Sequence, residues 1–243
     1  MNSTSDAILG AVREGLPVTL GNYEIAGASA GLVIVDEVNG FATVGAGNLA
    51  PQSDNEQVSR MVSQTDQLAR RFLDTEQPVL AFLDTHEPGV PEPPYPPHCE
   101  RDTDESELVP ALQWLSERDE VILVRKDCIN GFVGSLDAAT GENRVANWIN
   151  EHKLSAIIVV GICTDICVMD FVLTMLSARN HGLMPTLKDI VVFEPGCATY
   201  DMSKQSALDL GLPETAAHPQ HVTHHLGLYF MASRGAVLTS ELT

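Results

Sequence analysis

The sequence predicts an α/β protein in which helices cover both faces of a mostly parallel central sheet of about six strands. Short apolar runs recur along the chain, helical patterns lie between them, and no repeat or linker divides the 243 residues. Strands that alternate with helices form βαβ units, whose sheet is buried between two helical layers. We therefore expect one three-layer domain over residues 1–243, with residues 1–29 as an N-terminal extension packed on it.

Six segments have the composition of buried strands. Each is short, rich in β-branched residues and bounded by polar residues or by turn residues. The first is GLVIVD, whose last residue is an aspartate. The predicted strands cover 31–36, 78–84, 121–125, 156–161, 189–194 and 235–240.

Helical periodicity fills the intervals. The clearest case is 55–73, where apolar residues from Val58 to Phe72 recur at a spacing of three and four and form one stripe. Such a stripe is typical of a helix that packs one face on a sheet. Further helices are predicted near 143–152, 165–180, 202–210 and 221–234.

Composition limits the classes of partner. The chain carries 33 acidic and 14 basic residues, a formal net charge of −19, which argues against nucleic acid and anionic membrane as partners. No stretch resembles a targeting peptide or a membrane span, so we expect a soluble protein of the cytoplasm, with the nucleus as an alternative. Without a secretion signal, the five cysteines are interpreted as thiols rather than as a disulfide framework.

The polar residues that end the predicted strands are the candidates for a site. They are Asp36, Asp84, Lys126 and the turn at 161–167. In open α/β sheets, ligands bind at the carboxyl ends of the strands, so these groups are expected to face one crevice. Taken alone, Asp36 is equally typical of a turn or a helix cap, and Lys126 of a solvated strand end.

Asp84 and His86 suggest a metal site. Side chains two apart on an extended segment point the same way, so the pair could grip one ion. His98 lies near the end of the segment 87–99, which holds six prolines, and a stiff loop of this kind could return it to the same place. The alternative for this segment is a polyproline ligand for a partner domain. One carboxylate and two imidazoles suit zinc, iron or manganese.

Cys163 and Cys167 lie across the turn between a predicted strand and a predicted helix. If Thr164 or Asp165 caps that helix, Cys167 lies in its first turn, where the helix dipole should lower the pKa of its thiol. A Cys163–Cys167 disulfide is the redox alternative, but a spacing of four is awkward for it. The residues alone leave open whether Cys167 is a nucleophile or a buried filler.

Five segments in order, IVDEVNGF, FLDTHEP, PPYPPHC, VRKDCINGF and GICTDICV, resemble the nicotinamidases, cysteine amidohydrolases of the isochorismatase-like superfamily with a Rossmann-like fold. The segments KDCINGFVGSL, GCATYD and HHLGLY are most similar to the plant-type branch. The resemblance implies hydrolysis of nicotinamide, and of pyrazinamide, to the acid and ammonia, in salvage toward NAD.

The resemblance also implies roles for individual residues. Asp36, Lys126 and Cys167 match the catalytic triad, and the backbone N–H groups of Cys163 and Cys167 match an oxyanion hole after a cis peptide bond at Cys163. A divalent metal, with zinc favoured over iron or manganese, would hold the pyridine nitrogen. Its implied ligands are Asp84, His86 and His98, and the implied walls of the ring pocket are Phe41 and Tyr95.

Two departures and several alternatives accompany this resemblance. Asp102 stands where the family pattern has glycine, and Tyr95 where several relatives have tryptophan. The alternatives are an amidase acting on another carboxamide, an isochorismatase, an inactive binding protein and a thiol redox sensor. A homo-oligomer is compatible with the sequence, which does not determine the number of chains.

Overall fold

The computed structural model describes residues 3–90, 92–93 and 95–243. One sheet of seven strands forms its centre, and every pair of neighbouring strands is parallel. The order across the sheet is β1-β7-β6-β5-β2-β3-β4. The strands are β1 (Gly21–Tyr23), β2 (Ala30–Val35), β3 (Val79–Asp84), β4 (Val121–Lys126), β5 (Ala156–Ile162), β6 (Asp189–Ala198) and β7 (Val237–Leu242).

The α/β class is confirmed, and all six predicted strands and all five predicted helices are present. The first two helices and β1 were not predicted. The second helix is a single turn of four residues, and β1 is a three-residue strand recruited by pairing with β7. No helix within the described residues is both long and apolar enough to cross a bilayer. The helices are α1 (Ser3–Gly15), α2 (Asn39–Ala42), α3 (Glu56–Asp74), α4 (Arg144–Glu151), α5 (Cys167–His181), α6 (Lys204–Asp209) and α7 (Gln220–Ala232).

The sheet is buried on both faces because successive residues of each strand point to opposite sides. In β2, Leu32 and Ile34 pack with Phe72 and other apolar residues of α3. Val33 and Val35 point the other way, toward a core built by α4, α5 and α7. All six residues of β2 are buried, which explains the continuous apolar run in the sequence.

The topology decides where a site can form. From β2 the chain proceeds through β3 to β4 on one side, and then returns to place β5 on the other side of β2. The order therefore reverses between β2 and β5, which opens a crevice at the carboxyl ends of the central strands. Strands β5, β2, β3 and β4 are consecutive in the sheet, and each ends at one of the residues singled out in the sequence.

Asp102 has a left-handed backbone conformation, with a φ of 62°. The glycine of the family pattern is therefore replaced at a position that requires a positive φ. Aspartate tolerates this region better than most residues, but glycine has no Cβ to crowd the carbonyl.

We predict that an Asp102→Gly variant will be more stable than an Asp102→Ala variant by about 1 kcal/mol in its free energy of unfolding. The measurement is urea unfolding of both variants. Asn147, exposed within α4, is the matched control. There the order should reverse, with alanine more stable than glycine by about 1 kcal/mol. The same order at both positions would contradict the role assigned to the backbone at Asp102.

Candidate active site and metal centre

Lys126, the last residue of β4, lies at the centre of the site. Its ammonium is fully buried, and its Nζ lies 2.8 Å from Oδ2 of Asp36 and 2.7 Å from Oδ1 of Asp84. It also donates to the carbonyl of Cys128 at 2.9 Å. Asp36 directly follows β2, and Asp84 ends β3. The parallel sheet thus brings three charges from three neighbouring strands into contact, as the sequence predicts.

Burial and charge oppose each other in this cluster. Burial alone would lower the pKa of Lys126, but Asp36 and Asp84 outweigh burial and raise it well above its ordinary value. Burial raises the pKa of Asp36 to about 6, although Lys126 works in the opposite direction. Neither Asp36 oxygen receives a well-aligned hydrogen bond from a described residue, although Nζ of Lys126 lies 2.8 Å from Oδ2. Asp36 is therefore an acceptor with free capacity for a proton.

Cys167 is the first residue of α5 and is buried beside this cluster. Its thiol interacts with the Asp36 carboxylate. The expected low pKa of this thiol is wrong: burial raises it well above the ordinary value, and Asp36 adds to the effect while Lys126 opposes it. Burial beside carboxylates destabilises the thiolate more than the helix N-terminus stabilises it.

The predicted helix cap is also wrong. Ile166 precedes the helix and has no side-chain cap. The hydroxyl of Thr164 is paired with His224, and the carboxylate of Asp165 with Thr199 and His218. These tertiary partners compete successfully with the helix N–H groups, which sequence spacing cannot reveal.

Cys163 is the first residue of the turn 163–167, and the Ile162–Cys163 peptide bond is cis, as the resemblance implies. Burial raises the pKa of its thiol to about 12. All five cysteines lie within the described residues and are free thiols, so the interpretation as thiols is confirmed and no Cys163–Cys167 disulfide is present.

Asp84, His86 and His98 form the candidate metal centre. All three are buried, and one ligand atom of each lies within 4.8 Å of the others. Oδ2 of Asp84 is 2.9 Å from Nε2 of His86 and 3.2 Å from Nε2 of His98. The other oxygen of Asp84 binds Lys126, so this carboxylate joins the metal centre to the triad.

The tautomer of His98 fits a metal ligand. Its Nδ1 lies 2.8 Å from the carbonyl of Pro96, which only accepts hydrogen bonds, so Nδ1 carries the proton. In the neutral ring this leaves the Nε2 lone pair directed at the Asp84 carboxylate. Two acceptors that face each other are stabilised by a cation between them. A backbone carbonyl that orients the imidazole in this way is typical of metal sites.

The proline-rich segment supplies more than His98. The Glu92 carboxylate lies 3.6 Å from Nε2 of His86 and 3.7 Å from Nε2 of His98. The sequence did not single out Glu92, because the prolines around it indicate only a stiff loop. The rings of Phe41 and Tyr95, whose centroids lie 5.5 Å and 6.0 Å from that of His98, flank the centre as expected.

Comparison with known proteins identifies the family. The Isochorismatase domain matches residues 30–210. This chain belongs to the isochorismatase family. It is 54% identical over 216 residues to Nicotinamidase 1 of Arabidopsis thaliana, covering 89% of this chain and 87% of that protein.

Solved structures of the isochorismatase-like fold agree with the observed architecture. The nicotinamidase PncA from Bacillus subtilis superposes with a TM-score of 0.63 at 22% identity, covering 87% of this chain and 99% of that one. A pyrazinamidase of Pyrococcus horikoshii in complex with zinc has a TM-score of 0.61 at 18% identity, covering 87% and 98%. Both matches concern the fold.

Glu37, next to Asp36 in this isochorismatase-family chain, is a further buried carboxyl. It is inaccessible to solvent, and its Oε1 accepts a hydrogen bond from Thr65 at 2.5 Å. No described residue is paired with its Oε2. Burial raises the pKa of Glu37 to about 8, so the folded protein keeps this group neutral at pH 7. The signal available in the sequence was the place of Glu37 between Val35, where the apolar run ends, and Val38.

We predict that Glu37→Gln will remove a pH dependence of stability. The folded pKa is about 8 against an ordinary value of 4.5, so the contribution of Glu37 is complete below 4.5 and is lost as pH rises toward 8. The free energy of unfolding of Glu37→Gln relative to wild type should therefore increase by roughly 1.4 kcal/mol per pH unit between pH 5 and 8. Urea unfolding at several pH values measures this.

Glu117→Gln, at an exposed carboxyl, is the control and should follow the wild-type curve. If Glu37→Gln also runs parallel to wild type, Glu37 is ionised in the folded protein and the interpretation fails.

Proposed function

We propose that this protein is a nicotinamidase, which hydrolyses nicotinamide to nicotinate and ammonia through a thioester at Cys167. The supporting observation is the buried contact of Lys126 with both Asp36 and Asp84, beside the Cys167 thiol and the Asp84–His86–His98 centre. The relative named Nicotinamidase 1, 54% identical over most of the chain, supports the same activity.

The proton balance of the resting site suits a cysteine amidase. With a pKa of about 6, Asp36 is mostly ionised at neutral pH, whereas the raised pKa of Cys167 keeps its thiol protonated. As the sulfur attacks the carboxamide carbon, Asp36 accepts the thiol proton. The Lys126 ammonium stabilises the negative charge as it moves from the Asp36 carboxylate to the sulfur.

The backbone N–H groups of Cys163 and Cys167 are the donors for the oxyanion of the tetrahedral intermediate. Asp36 then returns its proton to the departing ammonia. In the second half of the reaction, Asp36 takes a proton from the water that attacks the thioester. The C–S bond then breaks, Asp36 returns this proton to the Cys167 sulfur, and nicotinate leaves. One carboxylate with a pKa near neutrality serves both directions of proton transfer.

Asp84, His86 and His98 would hold a divalent metal ion, for which this donor set favours zinc, with iron and manganese as alternatives. Glu92 is near enough to join them. A bound cation would supply a Lewis acid that coordinates the pyridine nitrogen. Phe41 and Tyr95 would enclose the ring, so that its carboxamide lies toward Cys167.

We predict that Cys167→Ala will abolish ammonia release from nicotinamide, whereas Cys163→Ala will retain substantial activity. The nucleophile is lost in the first variant, but the second keeps the backbone N–H at residue 163. A coupled assay for ammonia measures both. A comparable loss in the two variants would overturn the assignment of the nucleophile.

We also predict that metal removal will mainly raise KM for nicotinamide and pyrazinamide. Chelation and His98→Ala should both increase KM by about tenfold or more, with zinc restoring the chelated enzyme. Benzamide, which has the same shape without the ring nitrogen, is the matched control, and any activity on it should not respond to chelation. Simple aliphatic amides should compete poorly with nicotinamide.

An unchanged kcat/KM for nicotinamide after chelation would refute the metal's role in ring binding. Equal activity on nicotinamide and on an aliphatic amide would instead indicate an amidase for another carboxamide.

A further inference from the structure

The turn 163–167 carries both proposed oxyanion donors, and its two polar side chains are held from outside the catalytic set. Thr164 is fully buried, and its N–H donates to the carbonyl of Ala198 at 2.8 Å. Its Oγ1 lies 2.8 Å from Nδ1 of His224, a buried residue of α7. Thr164 is therefore fixed both by β6 and by α7.

A carboxylate sets the tautomer of His224. Its Nε2 lies 3.2 Å from Oε1 of Glu194, which is also paired with Arg60 at 2.9 Å. Burial would raise the pKa of Glu194, but His224 and Arg60 outweigh burial and lower it, so Glu194 is an ionised acceptor. Nε2 then carries the proton of the neutral ring, and Nδ1 accepts the hydrogen bond of the Thr164 hydroxyl.

A second histidine holds the next residue of the turn. Oδ2 of Asp165 lies 2.8 Å from Nε2 of His218, and Oδ1 accepts from the Thr199 hydroxyl at 2.6 Å. The other nitrogen of His218 lies 2.8 Å from the carbonyl of Tyr200, whose ring stacks on the imidazole at 3.8 Å. Each oxygen of the Asp165 carboxylate is thus paired with a side chain outside the helix that follows.

Helix α7 also contacts the turn through its backbone. A Cβ placed on Gly227 would lie 2.8 Å from Cα of Asp165, so only glycine permits this approach. His224 and Gly227 are three residues apart and therefore share one face of α7. The segment HHLGLY, which the proposed chemistry does not use, supplies both contacts.

We propose that His224 and His218 are positioning residues for the oxyanion hole: they lock Thr164 and Asp165, and thereby fix the N–H groups of Cys163 and Cys167. This inference rests on the proposed function, since it assigns a task to a turn of that reaction. Donors that stabilise a developing charge act only when they are held in place before the reaction. The turn should therefore govern kcat, while ring binding depends on other elements.

The test replaces the Thr164 hydroxyl without changing the side-chain shape. Thr164→Val should lower kcat for nicotinamide by about tenfold or more, with KM changed less than about twofold. Thr164→Ser, which keeps the hydroxyl, should recover most of kcat. His224→Leu should match Thr164→Val, and His224→Asn, which retains an acceptor near the Nδ1 position, should recover part of the loss.

A double-mutant cycle distinguishes loss of the Thr164–His224 hydrogen bond from a general loss of structure. If Thr164 and His224 act through one hydrogen bond, the Thr164→Val/His224→Leu variant should lose no more activity than either single variant. Multiplicative losses would overturn the link between them. Thermal unfolding of every variant identifies any that fails to fold, and Thr164→Ser then carries the comparison.

Pyridine-3-carbaldehyde provides a readout specific to the oxyanion. It adds to a thiol to form a tetrahedral adduct and has no amine to release. Thr164→Val should weaken inhibition by the aldehyde about tenfold but leave inhibition by nicotinate unchanged. Equal weakening of both inhibitors, or wild-type kcat in Thr164→Val and His224→Leu, would overturn this inference while the proposed function stands. A wild-type protein that releases no ammonia from nicotinamide would overturn both.

Discussion

The ammonium of Lys126, buried between Asp36 and Asp84, is the interaction on which the rest of the site depends. Two carboxylates around one cation leave an excess negative charge among buried side chains. Loss of one partner of such a cluster typically costs about 3–5 kcal/mol, because the remaining charge is uncompensated. Burial, to which this excess charge adds, raises the pKa of the Cys167 thiol and keeps it neutral at rest. The same excess favours a cation at the neighbouring centre.

Asp84 belongs both to the charge cluster around Lys126 and to the metal centre. One of its oxygens binds Lys126, and the other faces both metal-site histidines. In the proposed reaction, one carboxylate on one strand therefore links the centre that would hold the ring to the lysine beside Asp36. The arrangement is rigid because β3 is fully buried between its neighbours.

The remaining wall of the site is held differently. Asp36, Asp84 and Lys126 are fixed by the sheet, whereas the turn 163–167 leaves the sheet and relies on side-chain partners from β6 and α7. A turn that displays backbone N–H groups to a substrate cannot satisfy them internally. Its support comes from the side chains of Thr164 and Asp165, which are consequently unavailable as helix caps.

The sequence by itself determined the fold class, because strand and helix patterns are local. It also determined the candidates Asp36, Asp84 and Lys126, because each lies at or next to the end of an apolar run. The strand order then follows only from packing, and it alone brings Asp36, Asp84 and Lys126 together. Tertiary structure also decided the pKa of Cys167, the partners of Thr164 and Asp165, and the approach of Glu92 to the histidines. These depend on desolvation and on contacts between residues distant in the chain, which no local pattern encodes.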